Sequence, residues 1–259
     1  MPSPTVRTIR AYMDDLAPFD TAEDFDNAGF LVGRAEQEVK TILCSLDVTM
    51  ETVLEAERLG AQLIVSHHPL LFRGVRRLTD ETPEEMVLRA LIQKDISLIS
   101  AHTNWDKTVL SGSACAARAL GVQDLSQSGY LFTGRWPEPV SAAQAAEKIR
   151  AVLRAPLRMY GDQNRMIRVI SFAGGAYGEG YREAEACGAQ AYCTGEIKHH
   201  EITDAVARGM VIFEAGHYAS EAPMIPALAS CLRERLSRDG LYCQVKETSC
   251  VPFPGALDQ

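Results

Sequence analysis

The side chains best suited to chemistry in this 259-residue chain are its six histidines, because they lie at only four places in the sequence. They occur as two adjacent pairs and two single residues: His67-His68, His199-His200, His102 and His217. Two neighbouring imidazoles at the end of an apolar run fill a core poorly but hold metal ions well. A single buried histidine, by contrast, is more often a hydrogen-bonded core residue than a ligand. The pairs therefore indicate metal binding, with a structural role as the alternative.

The elements around the first pair explain how it could bind metal. The apolar run 63–65 predicts a buried strand, and Pro69 keeps His68 out of helical geometry. His67 and His68 should then point in different directions, one toward each of two neighbouring ions. His102 and His217 also follow strand-like runs. Because ligands of open α/β sheets bind beyond the carboxyl ends of the strands, all six histidines could meet at one edge.

Composition narrows the class of protein. With 46% hydrophobic and 23% charged residues, the chain is an ordinary globular sequence. Its net charge of −8 argues against general nucleic-acid binding, and we interpret the short basic cluster Arg73, Arg76 and Arg77 as a solvated loop. Seven cysteines without a C-x-x-C pair predict neither a disulfide framework nor a zinc knuckle, and fit a reducing cytoplasm. We expect no membrane span and no export signal.

A short internal repeat predicts two related halves. Residues 56–62 and 184–190 are identical at five of seven positions, and each copy is followed by a strand and a histidine pair. The first copy lies in a β-α-β pattern, with Thr49 as the cap of a helix. We therefore predict an α/β fold of two lobes, residues 1–125 and 126–259, facing each other across a cleft. The boundary is placed in 122–139, where periodicity is lost.

Two segments of the second half are more ambiguous. The glycine-rich stretch 174–180 is either a tight turn or a phosphate holder before a helix, and it does not match G-x-G-x-x-G. Pro223 fits only the first turn of a helix, so we predict a helix starting near Ser220, with His217 in the preceding loop. Glu221 then lies in the first turn, where it could act as a ligand or only complement the helix dipole.

Five motifs together resemble one family. They are Asp26-Asn27-x-Gly29, Ser66-His67-His68-Pro69, His102-Thr103-Asn104-x-Asp106, Thr194-Gly195-Glu196-Ile197-Lys198-His199-His200 and Gly216-His217-Tyr218-x-x-Glu221. This set, which spans nearly the whole chain, resembles the GTP cyclohydrolase I type 2 homologues, also called Nif three-like proteins. The resemblance implies a Nif three-like fold with a dinuclear metal centre in the cleft between the lobes, and a hexamer. It implies as metal ligands His67, His68, Asp106, His217 and Glu221.

Two details of the chain depart from the family pattern, and neither is a ligand. Trp105 replaces the usual aliphatic residue, and the segment after Asp26-Asn27 varies. The chain is also too short for the domain that longer members insert between the lobes, so we expect no inserted domain.

The implied ligand set favours two divalent ions per chain, chosen from Zn, Fe, Mn, Co and Ni. Such a pair of ions suits hydrolysis. The remaining candidates for acid–base catalysis, or for orienting ligands, are His102, His199, His200 and Glu196. The expected reaction is ring opening of GTP or phosphoester cleavage of a nucleotide. The alternative is a non-catalytic hexamer that handles metal or scaffolds partners.

Overall fold

Helices and strands alternate along much of the chain. The computed structural model describes residues 2–251. The elements in chain order are α1 (Val6–Leu16), β1 (Gly29–Val32), β2 (Thr41–Ser45), α2 (Met50–Arg58), β3 (Leu63–Ser66), α3 (Pro83–Gln93), β4 (Ser97–Ser100), α4 (Thr103–Asp106), α5 (Gly112–Ala119), β5 (Gln123–Ser128), β6 (Leu131–Ser141), α6 (Ala142–Leu153), β7 (Arg158–Tyr160), β8 (Met166–Ala173), α7 (Tyr181–Ala186), β9 (Ala191–Thr194), α8 (His199–Ala207), β10 (Val211–Glu214), α9 (His217–Glu221), α10 (Met224–Arg238) and β11 (Gln244–Glu247).

The first unit comprises residues 2–108 and 225–251 and contains a five-stranded sheet. Its strand order is β1-β4-β3-β2-β11, in which only β1 is antiparallel to its neighbour. Every residue of β2, β3 and β4 is buried, which explains their continuous apolar character. The predicted cap is confirmed, because the Thr49 side chain accepts a hydrogen bond from the Thr52 N–H at the start of α2.

Residues 244–249 are held in the first unit by β11, which pairs with β2, and by Glu55 of α2. The buried Glu55 carboxylate accepts hydrogen bonds from the Ser249 N–H (3.0 Å), the Ser249 hydroxyl (2.6 Å) and the Thr248 hydroxyl. Burial alone would raise the pKa of Glu55, but the hydrogen bonds from Ser249 and Thr248 outweigh it and lower the pKa. The ionised carboxylate therefore ties Thr248 and Ser249 to α2.

The second unit contains a six-stranded sheet in the order β5-β6-β8-β9-β10-β7. Its three central strands β8, β9 and β10 are parallel, and the outer strands are antiparallel to their neighbours. Residues 122–139, which the sequence analysis assigned to a boundary between lobes, form most of the hairpin β5–β6. Register shifts in both strands break the alternation of polar and apolar residues, which is why the periodicity was lost.

The internal repeat has a structural basis in each unit. The Gln62 amide oxygen accepts two backbone N–H bonds at the start of β2 (2.8 and 3.1 Å), and its NH2 group donates to the Gly60 carbonyl (2.7 Å). Gln190 makes the same three bonds, two with backbone N–H groups of β8 (3.1 and 2.8 Å) and one with the Gly188 carbonyl (3.0 Å). Gly60 and Gly188 both have positive φ, at +62° and +78°.

The division into two units differs from the predicted boundary at residue 125. Residues 109–224 belong to the second unit, because α5 packs on β6, β8 and α6. Residues 225–251 belong to the first unit, because β11 pairs with β2. Among residues 2–251, no helix combines the length and apolar character that crossing a membrane requires.

Candidate metal centre

Three parallel strands of the first unit end at the same level. Ser45 pairs with Ser66, and Ser66 pairs with Ser100, so β2, β3 and β4 reach one edge of the sheet together. A hydrogen bond of 2.8 Å between the hydroxyls of Ser66 and Ser100 joins two of these buried ends. The side chains that follow the three strands are Asp47, His67, His68 and His102. The sheet thus delivers polar groups to its carboxyl edge, where ligands of α/β proteins bind.

The three imidazoles of this edge form one group, which we call the imidazole cluster (His67, His68 and His102). Their ring centroids lie 4.9 to 5.6 Å apart, and one nitrogen of each lies within 4.8 Å of the others. Asp106, at the end of α4, places a carboxylate oxygen 3.6 Å from His67 Nε2. His67 is buried, whereas the side chains of His68 and His102 are 24% and 20% exposed. The cluster is therefore anchored in protein and open on one side.

Each imidazole of the cluster uses Nδ1 to contact an oxygen. The three contacts, each 2.8 Å long, join His67 to the Ala101 carbonyl, His68 to Asp47 Oδ1 and His102 to Asp26 Oδ1. An oxygen acceptor favours the tautomer with the proton on Nδ1, which leaves the Nε2 lone pair for another partner. Metal-binding histidines are oriented in this way.

Asp26 is held in its ionised form. Its side chain is fully buried and accepts hydrogen bonds from His102, from the Thr103 N–H (3.0 Å) and from the Thr103 hydroxyl (2.5 Å). Burial alone would raise the pKa of Asp26, but the hydrogen bonds from His102 and Thr103 outweigh it and hold the pKa well below its usual range. The negative charge of Asp26 fixes the proton of His102 on Nδ1.

Asp26 and Asp47 were not predicted as site residues from the sequence. Asp47 follows β2, the strand beside the one that ends at the histidine pair. Its position after a strand is the sequence feature that could have indicated a site residue. A carboxylate after a strand is common in turns, so the signal is weak without the register of the sheet. Asp26 belongs to a motif of the family resemblance, but its contact with His102 links residues 76 positions apart.

In the second unit, the imidazole of His217 lies between two carboxylates. His217 and Glu221 lie one turn apart on α9, with 3.2 Å between His217 Nε2 and Glu221 Oε2. Glu196 contacts His217 Nδ1 at 2.7 Å, so this imidazole is also oriented by an oxygen. The prediction that His217 lies in a loop before a helix is wrong, because Gly216 (φ +82°) turns the chain and α9 begins at His217.

Glycines allow α9 to pack closely inside the second unit. A Cβ atom on Gly175 would lie 2.3 Å from Glu221 Oε1, and one on Gly112 would lie 2.6 Å from Glu221 Cα. A Cβ atom on Gly195 would lie 2.9 Å from His217 Cα. These distances are too short for any side chain, so the start of the stretch 174–180 forms a tight turn against α9. Gly174 and Gly175 therefore serve packing around Glu221.

Of the four residues predicted for acid–base catalysis, two lie beside candidate ligands and two do not. His199 and His200 are exposed in the first turn of α8, and no group of three potential metal ligands within residues 2–251 includes them. The repeat aligns His67 with Gly195, so the two histidine pairs are not structural equivalents. Glu196 contacts His217, and His102 belongs to the imidazole cluster.

The donor atoms of both units fit borderline divalent metals. The first unit offers three imidazoles and the Asp106 carboxylate, and the second offers His217 and Glu221. Imidazole nitrogen and carboxylate oxygen suit Zn, Fe, Mn, Co and Ni, whereas Cu(I) and iron–sulfur clusters require sulfur ligands. The fold and these groups define the class: an α/β protein of two units with candidate metal ligands at its strand ends.

Comparison with known families agrees with this class. The profile described as Duf34/NIF3 (NGG1p interacting factor 3) matches residues 4–252. The chain belongs to this family, as the resemblance of its motifs implied.

Individual relatives cover nearly the whole chain. The GTP cyclohydrolase 1 type 2 homolog of Clostridium perfringens is 32% identical over 245 residues, which cover 91% of this chain and 94% of the relative. The GTP cyclohydrolase 1 type 2 of Helicobacter pylori is 31% identical over 218 residues, covering 83% and 86%. The crystal structure of a Staphylococcus aureus hypothetical protein matches with a TM-score of 0.92 and 27% identity, covering 98% and 99%.

Proposed function

We propose that this chain binds two divalent transition-metal ions and uses them to hydrolyse a nucleotide. The proposed ligands are His67, His68, Asp106, His217 and Glu221. One observation carries the proposal: the imidazoles of both units share the same arrangement, in which Nδ1 contacts an oxygen and Nε2 would be the ligating atom. Metal-binding histidines are oriented by such contacts at the other ring nitrogen, so the repeated arrangement supports metal binding.

The chemistry divides between the ions and the chain. When bound, the ions would polarise a substrate oxygen and acidify water. His102 would accept or donate a proton at Nε2, because Asp26 holds the Nδ1 proton in place. Glu196 would orient His217. His199 and His200 are assigned no ligand role, and their exposed position leaves them as candidates for proton transfer.

The substrate assignment follows from the relatives. The matched proteins of Clostridium perfringens and Helicobacter pylori carry the names GTP cyclohydrolase 1 type 2 homolog and GTP cyclohydrolase 1 type 2. A nucleotide could be opened at its purine ring, which leaves the triphosphate intact, or cleaved at its phosphates, which leaves the base intact. These two reactions give different products and can be separated by assay.

Metal content tests the ligand set. The purified protein should contain up to two transition-metal ions per chain, and His68→Ala and Glu221→Ala should each lower that number without unfolding the protein. His199→Ala is the matched control, because it removes an exposed imidazole and should leave the metal content unchanged. Full occupancy in the double variant His68→Ala/Glu221→Ala would overturn the assignment.

Turnover tests the reaction. Metal-loaded protein is incubated with GTP while purine absorbance and released phosphate are followed together. A change in absorbance with intact triphosphate indicates ring opening, and released phosphate with constant absorbance indicates phosphoester cleavage. Either activity should vanish in His67→Ala and in metal-free protein. If GTP and a panel of phosphodiesters give no signal above that background, the alternative of a metal-handling protein replaces the hydrolase.

The assembly is a separate proposal that rests on the family resemblance. We propose that six copies of the chain form a hexamer. Light scattering at micromolar concentration should report six times the mass of the 28.4 kDa chain. A stable monomer under these conditions would contradict the hexamer without affecting the metal ligands.

A further inference from the structure

Two exposed phenylalanines lie beside the imidazole cluster. Phe72 is 45% exposed, and its ring centroid lies 6.2 Å from that of His102 in an edge-to-face arrangement. Phe25 is 66% exposed, the highest value among the large hydrophobic side chains of residues 2–251, and its ring lies 6.4 Å from that of Phe72. Single exposed apolar residues are ordinary on protein surfaces. Two that contact each other and a candidate catalytic histidine form a surface on which a flat ring could stack.

The dipeptide Asp26-Asn27 fixes this aromatic surface relative to the cluster. Asp26 holds the His102 ring through Nδ1, and the Asn27 side-chain NH2 donates to the carbonyl of Leu71, the residue before Phe72. Adjacent residues of one segment thus position the imidazole and the backbone that carries the aromatic ring. The motif Asp-Asn, which the metal ligands alone do not explain, acquires a role in this way.

Unpaired positive charge lies on the same loop. Residues 67–82 connect β3 to α3 without regular secondary structure, a length that is unusual for a purely connecting loop. The loop begins with the histidine pair and continues through Phe72 to Arg73, Arg76 and Arg77. These three arginines are exposed, and within residues 2–251 they make no ion pair or hydrogen bond. In a chain of net charge −8, such a group of cations favours an anionic ligand.

We propose that the loop 67–82 is the nucleotide clamp of the protein. The base stacks on Phe72, and Phe25 extends the aromatic surface beside it. The phosphates contact Arg73, Arg76 and Arg77. The proposal rests on the proposed function, since it names the residues that would hold the nucleotide beside His102. It states which residues would recognise each part of the nucleotide, the flat heteroaromatic ring and the polyphosphate.

Binding of three probes tests the stacking part. GTP, guanosine and inorganic tripolyphosphate are titrated into chelator-treated protein, so that metal contacts do not contribute. Phe72→Ala should weaken GTP and guanosine binding about 5- to 160-fold and leave tripolyphosphate binding unchanged, because stacking on an aromatic side chain is worth about that much per base. Phe72→Trp should restore binding to within about threefold. The control Tyr242→Ala removes another exposed aromatic ring and should change nothing.

Charge is tested with a matched pair of triple variants. Arg73→Ala/Arg76→Ala/Arg77→Ala should weaken GTP and tripolyphosphate about tenfold at low salt and flatten the salt dependence, while guanosine binding is unchanged. The control removes the same charge from exposed positions of the second unit. It combines Lys148→Ala, Arg165→Ala and Arg168→Ala. If both variants lose the same affinity for GTP and tripolyphosphate, the effect is due to net charge alone and the clamp is overturned.

The outcomes separate this inference from the proposed function. Nucleotide binding that persists without metal and is lost in Phe72→Ala supports the clamp even if no hydrolysis is found. Hydrolysis with a KM unchanged in Phe72→Ala and in the arginine variant keeps the metal site and overturns the clamp. The clamp is also overturned if none of the three probes binds up to millimolar concentration, or if a single-stranded oligonucleotide binds more tightly than GTP.

Discussion

Adding one methyl group at Gly175 should move the proposed ligand Glu221 without unfolding the protein. In Gly175→Ala the new Cβ would lie 2.3 Å from Glu221 Oε1, whereas an ordinary contact begins near 3.4 Å, so the oxygen must retreat by roughly 1 Å. The α9 backbone cannot follow, because it already packs on Gly112 and Gly195. The carboxylate must therefore swing away from His217 Nε2, which lies 3.2 Å from its other oxygen.

The size of the effect follows from these distances. Metal–ligand bonds tolerate deviations of about 0.2 Å, so a shift of roughly 1 Å removes the Glu221 contact. We expect metal affinity to fall about 10- to 100-fold, or about 1.4 to 2.8 kcal/mol. The backbone adds a second cost, since Gly175 has φ +64° and alanine in that region costs about 1 to 2 kcal/mol of folding stability.

Gly188→Ala is the matched control. Gly188 has a similar φ of +78°, but a Cβ atom there would meet no heavy atom within 4 Å. Both variants should lose similar folding stability in urea, and only Gly175→Ala should lose metal affinity in a competition titration with a chromogenic chelator. Equal metal affinities in the two variants would refute the packing argument around Glu221.

Three further outcomes are expected. Asp47→Ala should weaken metal binding about tenfold by releasing the His68 ring, and it should have no added effect in a His68→Ala background, as the same chelator competition can measure. Metal occupancy should fall as the pH drops below about 6.5, since imidazole binds metal only when neutral, and occupancy unchanged at pH 4.5 would exclude histidine ligands. Glu55→Gln should cost about 1 to 3 kcal/mol at pH 7, measured by urea unfolding through Trp105 fluorescence in a Trp136→Phe background. Because the pKa of Glu55 is lowered in the fold, its contribution is complete above the unfolded value of about 4.3 and is lost as the pH falls further, so the variant and the parent should converge in acid.

Local signals predicted the elements that depend on local chemistry. The cap Thr49 predicted the start of α2, and the apolar run 63–65 predicted the buried strand β3. The strand β11 was missed because only one of its four residues is buried and its partner β2 lies about two hundred positions earlier. Pairing at such separation leaves no periodic pattern in the sequence.

The candidate site could be predicted where residue type and position at a strand end together indicate metal binding. The adjacent pair His67-His68 combined an uncommon residue type with a position at a strand end, and the fold placed His102 beside it. The pair His199-His200 shows the same pattern in the sequence, but Gly195 occupies the equivalent position of the repeat. The spacing distinguishes the two pairs, because His67 lies five residues after Gln62 whereas His199 lies nine residues after Gln190.

Comparison of the two units shows why scaffold and site residues behave differently. In each unit the third parallel strand leads to a short helix that carries a carboxylate: β4 to α4 with Asp106, and β10 to α9 with Glu221. The glutamines Gln62 and Gln190 bind only backbone groups, so they fix the strands without dictating the side chains at the strand ends. Identical scaffolds can therefore present different donors, and the first unit offers three imidazoles where the second offers one. This is why the repeat predicted the fold of the second half but not its ligands.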